Sequence, residues 1–242
     1  MNDLPSRPIT LLDAESLETE IKFAVPANRT AITLRMLEQL CDPDPKYPFG
    51  IISSIYYDSP NWDYLREKRD SDYLKTKVRL RWYEQTDADT ETPDLSHMEI
   101  KYRIGSKRKK IRVPTIFSGK YLSNTELDDA KLLRMPSILA TKGAPIRQPI
   151  FPAFIVRYCR NRFVDRSTGA RLCLDYSICS PKSNSFMVGS PYPCMLQSSV
   201  LEIKGTDGEL PLSLQALFKV GLRRESFSKY YECYAQLTRT FF

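Results

Sequence analysis

In the stretch KTKVRLRWY, residues 75–83, Lys75, Lys77, Arg79 and Arg81 occupy every second position, with Val78, Leu80 and Trp82 between the last of them. Successive side chains of a strand point to opposite faces, so four cations share one face and apolar groups take the other. Same-face neighbours lie about 7 Å apart, where like charges repel by about 0.6 kcal/mol in water and about 2.4 kcal/mol at an effective dielectric near 20. Such a row is tolerable in solvent or opposite an anion. A single solvated edge strand is one explanation, since edge strands carry Lys to discourage pairing.

The pattern recurs too often for that. Glu18, Glu20 and Lys22 alternate with Thr19, Ile21 and Phe23; Glu99, Lys101 and Arg103 with Ile100, Tyr102 and Ile104; Lys110 and Arg112 with Ile111 and Val113. Arg171 and Asp175 alternate with Leu172 and Leu174, Glu202 and Lys204 with Leu201 and Ile203, and Arg160 shares a face with Arg162. Period-2 alternation predicts eight strands, at about 17–24, 51–58, 73–84, 97–104, 109–115, 153–164, 170–177 and 199–205, a number that suits a closed barrel. Helical patterning appears at about 30–41, 60–69, 125–134, 211–220 and 226–240, with Pro211 suited to a first helical position. Two arrangements satisfy this pattern. Either the apolar faces fill a barrel and the charges meet solvent, or the charged faces line a lumen and helices cover the apolar faces outside. Periodicity alone leaves both open.

With 242 residues, 42% of them hydrophobic, the chain is long enough for one domain spanning 1–242. A formal net charge of +7 points to anionic partners. The N-terminus lacks an apolar leader and no apolar run is long enough to span a bilayer, so a soluble, cytoplasmic protein is expected. Six cysteines show no CxxC spacing and His97 is the only histidine, so zinc is not expected. A bound metal is expected to be Mn²⁺ or Mg²⁺ on carboxylate oxygens. Charged strand faces without an evident aromatic platform argue against nucleic acid.

The run ETEIK (18–22) has the form ExExK, and SIYYDSPNWDYL (54–65), VRLRWY, MEIKY, VLEIK and SFSKYYE follow in order. Together these resemble the triphosphate tunnel metalloenzyme (CYTH-like) superfamily, and within it the VTC, or vacuolar transporter chaperone, polyphosphate polymerase domain, over a core of about 17–234. The resemblance implies an α+β fold, an eight-stranded antiparallel β-barrel with a charged lumen and helices packed outside. It implies a metal-dependent polymerase that transfers the γ-phosphoryl of ATP onto polyphosphate. It also assigns roles. Lys22, Arg79, Arg81, Lys101, Lys110, Arg160, Arg171 and Lys229 match triphosphate ligands, with Arg79, Arg81 and Lys229 closest to the chemistry; Glu202 and Glu20 match metal ligands. Arg suits the task because its planar fork holds two phosphate oxygens at once. Lys75 and Lys77 are expected at the lumen mouth, and Asp58 in a turn or beside an arginine as readily as on a metal.

Two features depart from the polymerase pattern. Ser226 stands where those polymerases carry a further lysine, and both Glu18 and Glu20 persist, as in tunnel enzymes that hydrolyse triphosphates. An inorganic or nucleoside triphosphatase, or a non-catalytic polyphosphate-binding module, therefore remains an alternative. With no membrane span in the chain, any coupling to a membrane is expected from a partner protein.

Overall fold

The computed structural model describes residues 19–84, 96–105, 107–147 and 149–240. Eleven strands form one antiparallel sheet. They are β1 (Glu20–Pro26), β2 (Cys41–Pro43), β3 (Phe49–Asp58), β4 (Leu74–Glu84), β5 (His97–Ile104) and β6 (Lys107–Pro114), followed by β7 (Phe151–Asp165), β8 (Arg171–Ser180), β9 (Cys194–Met195), β10 (Ser198–Lys204) and β11 (Arg223–Arg224). The main order is β11-β1-β10-β8-β7-β3-β4-β5-β6, with β2 added beside β7 and β9 beside β8. All eight strands expected from alternation form.

The closed eight-stranded barrel does not. Among the described residues no backbone pairing joins β6 to β1 or β11, so the sheet stays open. Two causes are visible. Part of the free edge of β1 is taken by β11, where Phe23 faces Arg224, Ala24 faces Arg223 and the Glu225 N–H donates to the Lys22 carbonyl at 3.0 Å. The sequence of β6, KRKKIRVP, is that of an edge strand protected by charge. The seam is bridged by side chains instead, with Arg108 Nη1 of β6 3.2 Å from Glu20 Oε2 of β1.

Register settles which face is which. Val78, Leu80 and Trp82 of β4, with Met98 and Ile100 of β5, pack in one cluster with Leu122, Leu132 and Leu139 of the helices α3 (Gly119–Asn124), α4 (Ala130–Arg134) and α5 (Ser137–Ala140). Ile21 and Phe23 of β1, Leu172 and Leu174 of β8, and Leu201 and Ile203 of β10 pack with Leu37 of α1 (Thr30–Leu40) and with Leu214 and Leu217. The apolar faces are thus covered by helices and the charged faces turn inward, the second of the two arrangements. Each fully buried Leu or Ile side chain stabilises this by about 1.5–3 kcal/mol.

Two helix expectations change. Of the helix expected at 125–134 only the second half forms, as α4, which starts after Asp129, whose carboxylate accepts the Lys131 N–H at 2.8 Å; α3 ends before the expected span, at Asn124. The stretch at 211–220 is a 3₁₀ segment, Leu212–Val220, with Pro211 outside it at ψ 144° rather than as its first residue. The helices α2 (Asp63–Arg69) and α6 (Lys229–Thr238) form near their expected places. α6 fills one end of the inner face, where Tyr230 stacks on Tyr56 and Phe154 at ring-centroid distances of 4.5 and 5.1 Å.

Candidate functional site

The inner face encloses a cavity of about 660 Å³ lined from β1, β4, β5, β6, β7, β10, α2 and the segment that leads into α6. Fourteen Lys and Arg side chains line it against three carboxylates, Glu20, Glu202 and Glu225. Strand alternation accounts for most of this: Lys75, Lys77, Arg79 and Arg81 point into it from β4, Lys101 and Arg103 from β5, and Arg108 and Lys110 from β6.

The two arginines of β4 are held in place from behind. Arg79 donates to Glu99 Oε2 at 2.7–2.8 Å and lies 3.4 Å from the Tyr56 hydroxyl. Arg81 donates to Ser54 Oγ at 3.0 Å and to the Tyr158 hydroxyl at 3.3 Å. Glu99 is 3% exposed, and its second oxygen meets Lys110 at 2.9 Å and Arg112 at 3.4 Å. Burial by itself would raise the Glu99 carboxyl, but Arg79, Arg81 and Lys110 outweigh it and hold it well below the usual carboxylate range. It is therefore a fixed negative charge that orients its cations without reaching the cavity.

The opposite wall pairs cations with carboxylates. Lys22 Nζ lies 3.1 Å from Glu20 Oε1 and 3.5 Å from Glu202 Oε1. Burial would depress the Lys22 ammonium, but Glu202 and Glu20 more than offset it, so Lys22 stays protonated. Glu202 is likewise held well below its ordinary range despite burial, by Lys22, a hydrogen bond with Glu20, Arg160 and Lys229. Arg160 grips the fully buried Asp175 with two bonds of 2.5 and 2.7 Å and reaches Glu202 at 3.4 Å. Lys229, the first residue of α6, sits 2.5 Å from Asp175 Oδ2 and 4.8 Å above the Tyr158 ring.

Glu20 and Glu202 share one face of adjacent strands, since Lys22 is directly opposite Glu202 and Glu20 opposite Lys204. Among the described residues no group of three or more His, Cys, Asp or Glu side chains is arranged around a metal position. Two carboxylates open to a cavity of cations nevertheless fit Mg²⁺ or Mn²⁺, which bind through one or two carboxylates and complete their shell with phosphate oxygens and water.

Of the ten expected site residues, Glu20, Lys22, Arg79, Arg81, Lys101, Lys110, Arg160, Glu202 and Lys229 line this cavity. Arg171 does not; it is exposed at the start of β8, opposite Lys204 on the same face. Glu18 lies outside the described residues. Asp58 is structural: its carboxylate accepts the N–H groups of Ser59, Tyr64 and Leu65 and the Tyr230 hydroxyl, capping α2 and tying it to α6. His97 faces Arg112 at 3.0 Å. Sequence reasoning did not single out Glu99 and Asp175, although both sit in alternating strands, and it missed Lys68, which α2 delivers to the cavity. Nothing in the helical pattern of 60–69 marks that lysine.

A model of the VTC domain family matches residues 17–238. No curated protein matches the chain significantly. Among solved structures, a candidate adenylate cyclase from Bacillus halodurans is 14% identical, with 87% of this chain and 93% of that chain covered and a TM-score of 0.49. A candidate adenylate cyclase from Vibrio parahaemolyticus is 15% identical (89% and 96% covered, TM-score 0.42), and a chain of the Schizosaccharomyces pombe Mediator head module 12% (84% and 92% covered, TM-score 0.36).

Proposed function

We propose, because the chain belongs to the VTC domain family, that it is a metal-dependent polyphosphate polymerase that moves the γ-phosphoryl of ATP onto a phosphate chain. The observation that carries this is the cavity itself, in which cations on one wall face a Glu20–Glu202 pair on the other. Phosphoryl transfer proceeds through a loose transition state, so a protein contributes mainly position and charge. Arg79 and Arg81, braced by Glu99, Ser54 and Tyr158, present their forks to the phosphate oxygens without needing to reorganise. Lys22, Arg160 and Lys229 supply charge from the opposite wall and are kept in place by Glu202 and Asp175. A divalent ion on Glu20 and Glu202 would neutralise charge on the transferring phosphoryl. No side-chain nucleophile is needed, since the terminal phosphate of the growing chain is the acceptor.

A second reading, a triphosphatase, is favoured by the persistence of Glu18 together with Glu20 in ETEIK, since a second metal-holding carboxylate would favour the activation of water. The six free thiols suit a cytoplasmic setting. Among the described residues no helix is long and apolar enough to cross a membrane.

Purified protein incubated with ATP and Mn²⁺ or Mg²⁺ tests both readings, by gel for chains and by phosphate release. Long chains support the polymerase, and phosphate alone supports the triphosphatase. Neither product, with triphosphate still raising the melting temperature, leaves a binding module and overturns both.

A further inference from the structure

Most cations of the β1, β7 and β10 wall have a carboxylate partner, but among the described residues the lysines Lys68, Lys75, Lys77 and Lys101 on the other side have none, and two of these are held by serines. Lys68 of α2 donates to Ser226 Oγ at 2.9 Å, and Lys77 of β4 donates to Ser228 Oγ at 3.0 Å. Among the described residues neither ammonium has a carboxylate within 4.0 Å. Lys77 is also set directly opposite Lys101 across the β4–β5 pair, and the next inward-facing pair, Lys75 and Arg103, is again cation against cation. Like charges directly opposite on a sheet are destabilising, so this corner is costly without an anion. The electrostatics agree: burial first, then Lys22, Arg79 and Lys101, depress the Lys77 ammonium well below the ordinary lysine range, and burial with Lys75 lowers that of Lys68.

Both serines belong to the segment that carries Lys229, so the corner adjoins the proposed reacting centre rather than standing apart. A triphosphate gripped by Arg79 and Arg81 leaves this wall uncompensated. More negative charge on the same ligand would compensate it. We infer that Lys68 and Lys77, with the Ser226 and Ser228 hydroxyls that hold them, form a second phosphate subsite beside the arginines, one that selects phosphate chains longer than triphosphate. This rests on the reading of the cavity as a triphosphate site and adds to it a preference for chain length.

The test is equilibrium binding of tripolyphosphate and of size-fractionated long-chain polyphosphate, per chain and at fixed ionic strength, to the wild type and to Lys68→Met/Lys77→Met. The wild type is expected to bind the long chain about tenfold tighter or more. The double variant is expected to lose most of that advantage while tripolyphosphate weakens by no more than about threefold. A long chain has more registers in which to bind, a statistical advantage that survives in the variant, so the change in the ratio is the readout. Lys68→Met alone, at a half-buried helix position, is expected to lose part of the advantage and guards against misfolding of the double variant. Equal loss of both ligands, an unchanged ratio, or tighter binding of single-stranded RNA than of polyphosphate overturns the inference. If the wild type binds tripolyphosphate without any length preference, only this inference fails; if it binds neither phosphate, the cavity reading fails first.

Discussion

Arg79 and Arg81 carry the largest share of the proposed phosphate grip because their geometry is already fixed in the free protein. Glu99 holds one, and Ser54 with Tyr158 the other. A hydrogen bond to a charged group contributes about 1.5–3 kcal/mol, so removing both forks as Arg79→Ala/Arg81→Ala is expected to weaken tripolyphosphate binding by at least about a hundredfold. Calorimetry checks this, and unaltered binding would remove the basis for the cavity assignment. Lys101 adds a pH dependence. Burial pushes its ammonium down to about 8, with Lys22 and Arg108 adding to the fall and Glu20 and Glu202 opposing it. Between about 8 and the ordinary 10.5 the unfolded chain binds more protons at this position, so the free protein is expected to gain stability from it as pH rises through that window. A bound phosphate reverses the balance by favouring the charged lysine. Affinity for tripolyphosphate is therefore expected to fall as pH rises past about 8, with a shallower slope in Lys101→Met.

At the level of elements, the cavity depends on how α2 and α6 meet β3. The Asp58 carboxylate at the end of β3 caps α2 through two backbone N–H groups and accepts the Tyr230 hydroxyl of α6 at 2.7 Å. One residue before Tyr230 stands Lys229, and ten residues after Asp58 stands Lys68. Burial pushes the Asp58 carboxyl up to about 6, though its hydrogen bonds resist the shift. Its contribution to stability is thus greatest below its unfolded value of 3.8 and is lost as pH rises through about 6. Tyr230→Phe keeps the stack on Tyr56 and Phe154 but removes the hydroxyl that favours the ionised carboxyl. Its urea midpoint is expected to fall by the equivalent of about 0.5–1.5 kcal/mol at about pH 5, where Asp58 is protonated, and about 1.5–3 kcal/mol at about pH 7. An equal deficit at the two pH values would show that the bond does not go to an ionised Asp58. Little of this was legible in the sequence. Asp58 is the last residue of β3, and apart from the adjacent Ser59 its partners are 6, 7 and 172 residues away, the last brought in only by the docking of α6.

Across the whole molecule, what the sequence revealed and what it concealed divide by range. Period 2 is a local property, so all eight long strands, and the separation of Lys22, Arg79, Arg81, Lys101 and Glu202 from the apolar face of each, could be read one strand at a time, whereas the inward direction of those charged faces was implied only by the family resemblance. The short strands β2, β9 and β11, of two or three residues, have no periodicity to read. Closure is not local either. It depends on whether β6 finds the edge of β1, and Arg223 and Arg224 reach part of that edge from the far end of the chain. The open seam has a consequence for how the free and loaded molecules differ. Along it the inward-facing Arg108 and Lys110 lie beside other cations of the cavity, and the Arg108–Glu20 contact is the ion pair among the described residues that spans it. This ion pair is part-buried, so desolvation offsets much of its Coulombic gain, and β6 is held mainly by its single partner β5. A polyanion in the cavity would neutralise Lys110 and Arg108 from inside and draw β6 toward the opposite wall. Amide hydrogen exchange in β6 is therefore expected to be among the fastest of the long strands in the free protein and to slow by about tenfold or more with saturating tripolyphosphate. The central pair β3 and β7 is expected to change little. If β6 exchanges equally fast with and without the ligand while binding is confirmed by calorimetry, the seam does not respond to the anion and the open edge is a fixed feature of the fold.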